Sequence, residues 1–366
     1  MPPPMLADIR RQPDCLRALL RRAGELRALG ASVLRPESGG ALFAVACGDG
    51  WFAARASALA AAQFRWLTYL PYSSMEFLCY HAPRLEARDR VVAISMSGNV
   101  DRTVEAVHAA QARGARVLAV TNGDGGRIGQ IASSKCSLEI PELAPFLCGT
   151  STYTATILAL LLLLEGTAGD GGSHRFALDS VPDQIEKFME PAERFAREVA
   201  AAAAGDPISA ARFLSAGPNL ATVEYGAAKF VELTRIPSWS DDVEEFAHRQ
   251  YWAMNYRDLV VYLTANARLS AQATHSAEAL VELDVRTAAM ELEGYAVTTA
   301  KHRLTLPVLP EFLSPLTLAV PLQLLSYHLA EATGLDPNTR RHLKEDACRF
   351  EVSRRLTRRP LVGTGR

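Results

Sequence analysis

The chain has 366 residues, 49% of them hydrophobic and 22% charged, which is typical of a compact globular protein and is enough for two domains of about 150 residues. Lys and Arg number 39 against 40 for Asp and Glu, so no net charge favours nucleic acid or an anionic membrane as a partner. This balance favours a small ligand bound in a local pocket.

The cysteines and the first residues argue against several further classes. There is no C-x-x-C pair and no His-rich cluster, so we expect no disulfide framework, no metal site and no cofactor. The opening MPPPMLADIRRQP lacks the apolar core of a secretory signal. The apolar run at residues 155–164 is about half the length needed to cross a bilayer, and we interpret it as a buried helix. The sequence therefore predicts a cytoplasmic protein.

The first half of the chain alternates short β-type runs with helical stretches, which predicts a doubly wound sheet. An opening helix is expected over residues 8–29. The predicted strands cover residues 41–46, 90–95 and 116–121. The predicted helices between them cover residues 51–63 and 102–113.

The second half repeats this alternation of fold without repeating the sequence. A Gly-, Ser- and Asp-rich stretch at residues 166–183 is predicted to be the linker. The elements expected after it are helix 184–204, strand 212–216, helix 220–233, strand 259–264, helix 270–290, strand 295–299 and helix 316–333. An Arg-rich tail over residues 336–366 is predicted to form a solvated face and to end in disorder. The predicted organisation is two α/β domains, 1–170 and 184–340, and a tail, 341–366.

A serine-rich segment, Ser95-Met96-Ser97-Gly98-Asn99, lies where a predicted strand gives way to a helix. Two hydroxyls and free backbone N–H groups are expected at the positive end of a helix there. Such a group of donors can bind phosphate or another anion. An ordinary serine-rich loop capped by Asp101 is the structural alternative. We call residues 95–99 the serine loop.

A second constellation is expected on the helix at residues 220–233, where Tyr225, Lys229 and Glu232 share one face. A carboxylate beside an ammonium can act as base and electrostatic partner when a proton is removed next to a carbonyl. From spacing alone, a surface ion pair between Lys229 and Glu232 explains the pattern equally simply. His248 could serve as an acid or base near neutral pH, or be structural.

Two further segments offer polar groups. Thr150 and Ser151 follow Cys148-Gly149 and open the apolar helix, where they can receive a polar ligand group or simply cap the helix. Lys344 has no spacing argument of its own and could be a solvated lysine of the tail.

Seven segments, taken in chain order, resemble motifs of one family. They are residues 7–13 with E-I-x-x-Q-P, 93–98 with I-S-Q-S-G, 148–154 with V-A-S-T-K, 226–232 with G-A-L-K-L-K-E, 245–248 with E-L-K-H, 321–327 with P-x-Q-L-L-A-Y and, with a one-residue offset, 341–344 with R-N-L-A-K. Together they resemble the isomerase half of glucosamine-6-phosphate synthase and the fructosamine-6-phosphate deglycases, which belong to the sugar isomerase (SIS) domain family. The resemblance covers nearly the whole chain.

The resemblance implies two tandem SIS domains, each a doubly wound parallel sheet flanked by helices, that act on a phosphorylated sugar derivative. It implies that Glu232 moves a proton between the first two carbons and that His248 opens the sugar ring across a homodimer interface. Lys229 and the tail Lys344 complete the implied catalytic set. The residues implied to bind substrate or phosphate are Gly48, Asp49, Gly50, Ser95, Met96, Ser97, Gly98, Val100, Cys148, Thr150 and Ser151.

This sequence also departs from the family pattern. Asp49 and Gly50 replace hydroxyl residues of the family's G-T-S segment, and Met96 and Val100 replace Gln and Thr of its phosphate loop. We expect no glutaminase domain before the isomerase part, and hence a deglycase, a deaminase or an isomerase. Two other hypotheses stay open: a sugar-phosphate sensor without turnover, and an isomerase of an unphosphorylated sugar or cyclitol.

Overall fold

A computed structural model describes residues 3–168 and 175–357. The chain divides into two compact units. The N-unit consists of residues 14–141, 151–179 and 341–366, and the C-unit consists of residues 1–13, 142–150 and 180–340.

Each unit contains one parallel five-stranded sheet. The strands of the N-unit are β1 Leu42–Ala46, β2 Tyr69–Ser73, β3 Arg90–Ile94, β4 Arg116–Thr121 and β5 Ser134–Ser137. The strands of the C-unit are β6 Ala211–Ser215, β7 Ser238–Asp242, β8 Leu259–Thr264, β9 Arg286–Leu292 and β10 His302–Leu306. The helices are α1 Pro4–Arg10, α2 Gln12–Arg21, α3 Ala23–Leu29, α4 Asp49–Ala56, α5 Ala58–Ala61, α6 Ser74–Glu76, α7 Asp101–Ala112, α8 Gly126–Ile131, α9 Ser151–Thr167, α10 Val181–Ala204, α11 Pro218–Thr234, α12 Val243–His248, α13 Ala267–Val281, α14 Pro315–Ala332 and α15 Ala347–Thr357.

The two sheets have the same connectivity. The N-unit order is β2-β1-β3-β4-β5, and the C-unit order is β7-β6-β8-β9-β10 when it starts from the edge strand β7. The helix after the first strand begins in the same way in both units, behind Gly48 (φ 56°, ψ −129°) and Gly217 (φ 60°, ψ −136°). Glycine enters this backbone region freely because it has no Cβ. The predicted α/β class, with parallel sheets flanked by helices, is confirmed.

The cores lie around the central strands. Every residue of β1, β3, β6 and β8 is buried, which explains why their apolar runs could be recognised in the sequence. The run at residues 155–164 is a buried part of α9, as predicted. Within the described residues, no helix combines the length and the apolar character that a membrane span requires.

Two predictions near residue 290 are wrong. The helix expected over residues 270–290 ends at Val281, and residues from Arg286 onward form β9, whose alanine-rich sequence resembles a helix although it is a central strand. The strand expected over residues 295–299 is a turn, because its backbone bonds to side chains instead of a neighbouring strand. For example, Val297 N donates to Glu291 Oε2 at 2.8 Å and Ser270 Oγ donates to Ala296 O at 2.6 Å.

The predicted linker is wrong at both ends, and the tail contains a helix that was not predicted. Residues 166–167 still belong to α9 and residues 181–183 already belong to α10, while residues 169–174 lie outside the described residues. The tail contains a helix, α15. Its final residues, 358–366, where disorder was predicted, lie outside the described residues.

Candidate functional site

Glu232 lies near the C-terminal end of α11 and is surrounded by positive and polar groups of the C-unit. Its Oε2 accepts a hydrogen bond from Lys229 Nζ at 2.9 Å and lies 3.6 Å from Cys148 Sγ, and its Oε1 pairs with the guanidinium of Arg340. The Glu232 side chain is 26% exposed, whereas Lys229 and Arg340 are each 8% exposed. The carboxylate is therefore reachable from solvent while the cations that hold it are buried.

The shared helical face predicted for α11 is present, with Lys229 Nζ 5.6 Å from the centre of the Tyr225 ring. The alternative of a solvent-exposed surface pair is wrong for Lys229, because that residue is buried. A buried ammonium needs a hydrogen-bonded anion, and Glu232 is that anion.

The segment at residues 142–150 is fixed to the C-unit by buried hydrogen bonds. Tyr225 OH donates to Gly149 O at 2.7 Å, and Gln323 Nε2 from α14 donates to Tyr225 OH at 3.1 Å. Thr150 Oγ1 donates to the carboxylate of Asp8 on α1. This network places Cys148 beside Glu232, and it uses the Thr150 hydroxyl for structure.

His248 and Lys344 are both exposed. The His248 side chain at the end of α12 is 67% exposed, and its Nε2 lies 3.4 Å from Glu244 Oε1. Lys344 belongs to the N-unit, where its backbone N–H donates to Arg341 O at 2.8 Å. The catalytic roles that the sequence suggested for these two residues remain predictions.

The serine loop of the N-unit is shaped by its backbone. Gly98 has φ 65°, and a Cβ at this position would overlap Gly125 O, so only glycine fits. Gly98 N donates to Ser95 O at 3.0 Å, and Gly98 O accepts from Ile128 N at 3.0 Å. A Cβ at Gly126 would likewise overlap Ser97 O. The loop is thus held against the turn at residues 122–126.

Two hydroxyls of the serine loop differ in their surroundings. Ser95 is 7% exposed, and its Oγ has no hydrogen-bond partner among the described residues. Ser97 is exposed, and its Oγ accepts from Asn99 N at 3.3 Å, which leaves its own hydrogen free to point outward. Met96 turns to α9, where Thr156 Oγ1 lies 3.7 Å from its Sδ. A buried hydroxyl without a partner fits a ligand oxygen.

The start of α4 in the N-unit carries a carboxylate and a crowded glycine. Asp49 is the first residue of this helix. A Cβ at Gly50 would lie 3.0 Å from Ile94 Cγ2, 3.0 Å from Ala46 Cβ and 3.2 Å from Ile94 O. The hydroxyl residue that the family carries at this position would therefore be crowded here. Val100, just after the serine loop, is half-buried, and Ser151 is buried at the start of α9.

Arg340 is the residue that sequence reasoning missed. It is separated from Glu232 by more than a hundred positions, so no spacing rule could connect them. The neighbouring R-R-H-L-K run drew attention to Lys344 instead. Chemically, the C-unit arrangement can hold an ionised carboxylate for proton transfer. No group of three His, Cys, Asp or Glu side chains in residues 3–168 and 175–357 is placed to hold a metal ion.

Curated relatives carry one recurring name. The isomerizing glutamine–fructose-6-phosphate aminotransferase of Gloeobacter violaceus is 30% identical over 361 residues, covering 93% of this chain and 57% of that protein. The enzyme of the same name from Pyrobaculum aerophilum is 26% identical, covering 76% of this chain and 46% of that protein. The chain thus spans about half the length of the curated relatives it matches.

Solved structures share the fold. The C-terminal domain of glucosamine-fructose-6-phosphate aminotransferase from Francisella tularensis superposes with a TM-score of 0.77 at 15% identity, covering 92% of this chain and 98% of that one. Tagatose-6-phosphate ketose/aldose isomerase from Escherichia coli gives 0.75 at 18% identity, covering 91% and 94%. Residues 38–166, which include the serine loop, match the sequence profile of the SIS domain. This segment of the chain is therefore similar to the SIS domain family.

Proposed function

We propose that this protein is a sugar-phosphate isomerase or a fructosamine-phosphate deglycase or deaminase, in which Glu232 carries a proton between C1 and C2 of the open-chain sugar. The observation that carries the proposal is the partly exposed carboxylate of Glu232 held between Lys229 and Arg340. A base must be ionised and accessible to take a proton next to a carbonyl, and this site offers both properties. The names of the relatives, which include fructose 6-phosphate and tagatose 6-phosphate, support a ketose phosphate as substrate.

The proposed isomerisation needs no reactant besides the sugar, and the deglycase reaction needs only water in addition. Glu232 removes a proton from C1, next to the C2 carbonyl, and the electrons of that C–H bond form the C1–C2 double bond while the carbonyl electrons move to O2. The proton of the C1 hydroxyl passes to O2, and the same carboxyl returns its proton to C2, which leaves the aldehyde at C1. The buried ammonium of Lys229 favours the negative charge that develops along this path. With a fructosamine phosphate, the same proton transfer gives an enaminol and then an imine at C1, and water hydrolyses this imine to an aldehyde and the free amine.

One observation favours an unphosphorylated sugar or cyclitol as a second candidate substrate. The crowding at Gly50 leaves little room for a hydroxyl side chain, and Asp49 places a carboxylate at a helix end that phosphate would otherwise occupy. We retain phosphate as the first choice because Ser95 Oγ is buried and has no partner among the described residues, and because Ser97 can still donate.

The test follows proton exchange, because exchange does not depend on the direction of the reaction. The protein is incubated in D₂O with D-fructose 6-phosphate, D-tagatose 6-phosphate and the two free ketoses, and deuterium at C1 is measured by NMR. Glu232→Gln keeps the size of the side chain and removes its basicity, so the exchange rate should fall about a hundredfold or more with binding little changed. Glu331→Gln, at a half-exposed carboxylate that accepts from Tyr327 OH on α14, is the matched control.

Three outcomes separate the hypotheses. Full exchange activity in Glu232→Gln contradicts the proton shuttle. Exchange of free ketoses alone favours the second candidate. Binding of a sugar phosphate by the folded wild-type protein without exchange of any probe identifies a sensor instead of an enzyme.

A further inference from the structure

Arg340 occupies a restrained position in the C-unit. It ends the turn that follows α14, and its backbone has φ 48°, in the left-handed region that residues with a side chain adopt at a cost. Its side chain is only 8% exposed although a guanidinium is always charged. A strained backbone and a buried charge persist only where the surrounding contacts compensate for them.

These contacts use most of the guanidinium. Nη1 pairs with Glu232 Oε1, Nε donates to Phe146 O at 2.8 Å, and Nη2 donates to Leu147 O at 3.0 Å and to Phe146 O. The guanidinium carbon lies 4.1 Å from the centre of the Phe146 ring. Phe146 is itself in the left-handed region, with φ 65°. The backbones of Arg340 and Phe146 are therefore both strained, and their side chains are in contact. The guanidinium of Arg340 is buried, and its anionic partner is Glu232.

The turn that carries Arg340 is anchored at several points. Arg340 N donates to Asp336 O at 3.1 Å, and Thr339 Oγ1 donates to Asp336 Oδ2 at 2.6 Å. Met5 N, from α1, donates to Asn338 Oδ1 at 3.1 Å. The backbone that carries the guanidinium is therefore held in place by hydrogen bonds within the C-unit.

We infer that Arg340 is a positioning residue that supplies the fixed positive charge holding Glu232 ionised and in place, an inference that rests on the proposed proton-shuttle function. Arginine suits this role because it keeps its proton throughout the reaction and forms several hydrogen bonds in one plane. A lysine at this point could instead react with the substrate carbonyl to form an imine. The structure thus assigns the C-terminal cation of the site to Arg340, where the sequence had suggested Lys344.

Groups from several elements lie around Glu232. Lys229 contributes a positive charge from α11 itself, and Cys148 contributes a thiol from the segment at residues 142–150. On the elements packed against α11, Gln323 of α14 bonds to Tyr225, and Ser238 of β7 bonds to the α11 backbone at 2.7 Å. The charged Asp241 of β7 and Arg212 of β6 pair with Arg249 and Asp258. Arg340 is therefore the charge whose removal should change the titration of Glu232 without altering its helix.

The first test measures the pH dependence of the deuterium exchange of D-fructose 6-phosphate. In Arg340→Met, the acid limb of the profile should move to higher pH by about one unit or more, because an opposite charge within 4–6 Å typically favours ionisation by that amount. In Arg340→Lys, which keeps a positive charge, the acid limb should lie close to its wild-type position. Arg303→Met removes an ion pair with the buried Glu291 on the far side of the same sheet, and its profile should match the wild type. An unchanged acid limb in Arg340→Met overturns the inference.

The second test needs no turnover, so it separates this inference from the proposed function. The S–H stretching band of Cys148 in the infrared spectrum, identified by its loss in Cys148→Ala, should shift as Glu232 gains a proton, because a carboxylate is a stronger acceptor than a carboxyl group. In Arg340→Met this transition should move to higher pH by a similar amount, with Arg340→Lys in between. If the pH midpoint of this transition is the same in all variants, Arg340 has no positioning role. This conclusion holds whether or not the protein catalyses deuterium exchange into any sugar. Far-UV circular dichroism establishes that each variant is folded.

Discussion

The serine loop of the N-unit and the Glu232 site of the C-unit occupy related scaffolds but are held in different ways. In the N-unit, the backbone at Gly98 packs directly on the backbone at Gly125, and the loop polar groups mostly bond to main-chain atoms. In the C-unit, the carboxylate of Glu232 is held by the side chains of Lys229 and Arg340. The same strand order and the same glycine-initiated helices thus support two kinds of site.

This difference predicts different sensitivities. A site shaped by close backbone contact cannot accept an added Cβ, but it can tolerate changes of charge at its rim. A site held by ion pairs tolerates small changes of volume but depends on each charge, since an uncompensated buried charge is costly. The three predictions below test this contrast, from the largest expected effect to the smallest.

Gly98→Ala should damage the N-unit most severely. Its Cβ would overlap Gly125 O, so the loop has to move, and we expect a loss of more than about 3 kcal/mol in the free energy of unfolding together with loss of sugar-phosphate binding. Gly123→Ala is the matched control, because Gly123 has φ 62° but nothing lies within 4 Å of its Cβ position. It should lose only about 1–2 kcal/mol, the cost of the left-handed backbone. Equal losses in denaturant titrations of the two variants would contradict backbone packing as the cause.

His248→Ala tests whether the C-unit site is complete within one copy of the chain. His248 is exposed, which is compatible with the homodimer that the family resemblance implies, in which its imidazole would serve the neighbouring site. Its removal should reduce the reaction of the cyclic sugar about a hundredfold while exchange of the open-chain form is retained. Mixing inactive Glu232→Gln and His248→Ala subunits should restore part of the activity, whereas neither variant alone should recover.

Sedimentation of the same samples gives the second measurement for His248. A protein that stays monomeric and fully active at every concentration is incompatible with a shared site. Reduced activity of His248→Ala without recovery in the mixture would instead assign the histidine to its own subunit.

Whether a strand could be predicted from the sequence depended on how completely it is buried. The central strands were found because strands such as β3 and β8 are continuous apolar runs buried on both faces. The edge strands β2 and β7, with the sequences YLPYS and SWSDD, were missed because half-buried, polar edges lack that signal. In β9, a central position is filled by alanines that a helix would also accept.

For the candidate site, local spacing was enough to place Lys229 beside Glu232, since residues three apart meet on a helix. It could not reveal Arg340 or Cys148, whose contacts with Glu232 depend on how the C-unit folds back on itself. The partnerless hydroxyl of Ser95 is likewise a property of packing and not of sequence.

Asp49→Asn should produce the smallest change, and it decides what the N-unit binds. As the first residue of α4, Asp49 interacts favourably with the positive helix end, so its neutralisation should cost only about 0.3–1 kcal/mol of stability. If phosphate binds at the serine loop, the Asp49 carboxylate opposes it, and Asp49→Asn should tighten sugar-phosphate binding about tenfold without affecting the free sugar. We expect this result, because the serine hydroxyls remain available.

The affinities are measured by calorimetry for D-fructose 6-phosphate and D-fructose. Asp14→Asn, which removes an exposed carboxylate from the first turn of α2, controls for the general effect of charge. The opposite pattern, in which wild type binds the free sugar at least as well and Asp49→Asn weakens that binding, would mean that Asp49 accepts a hydrogen bond from a sugar hydroxyl where a phosphate was expected.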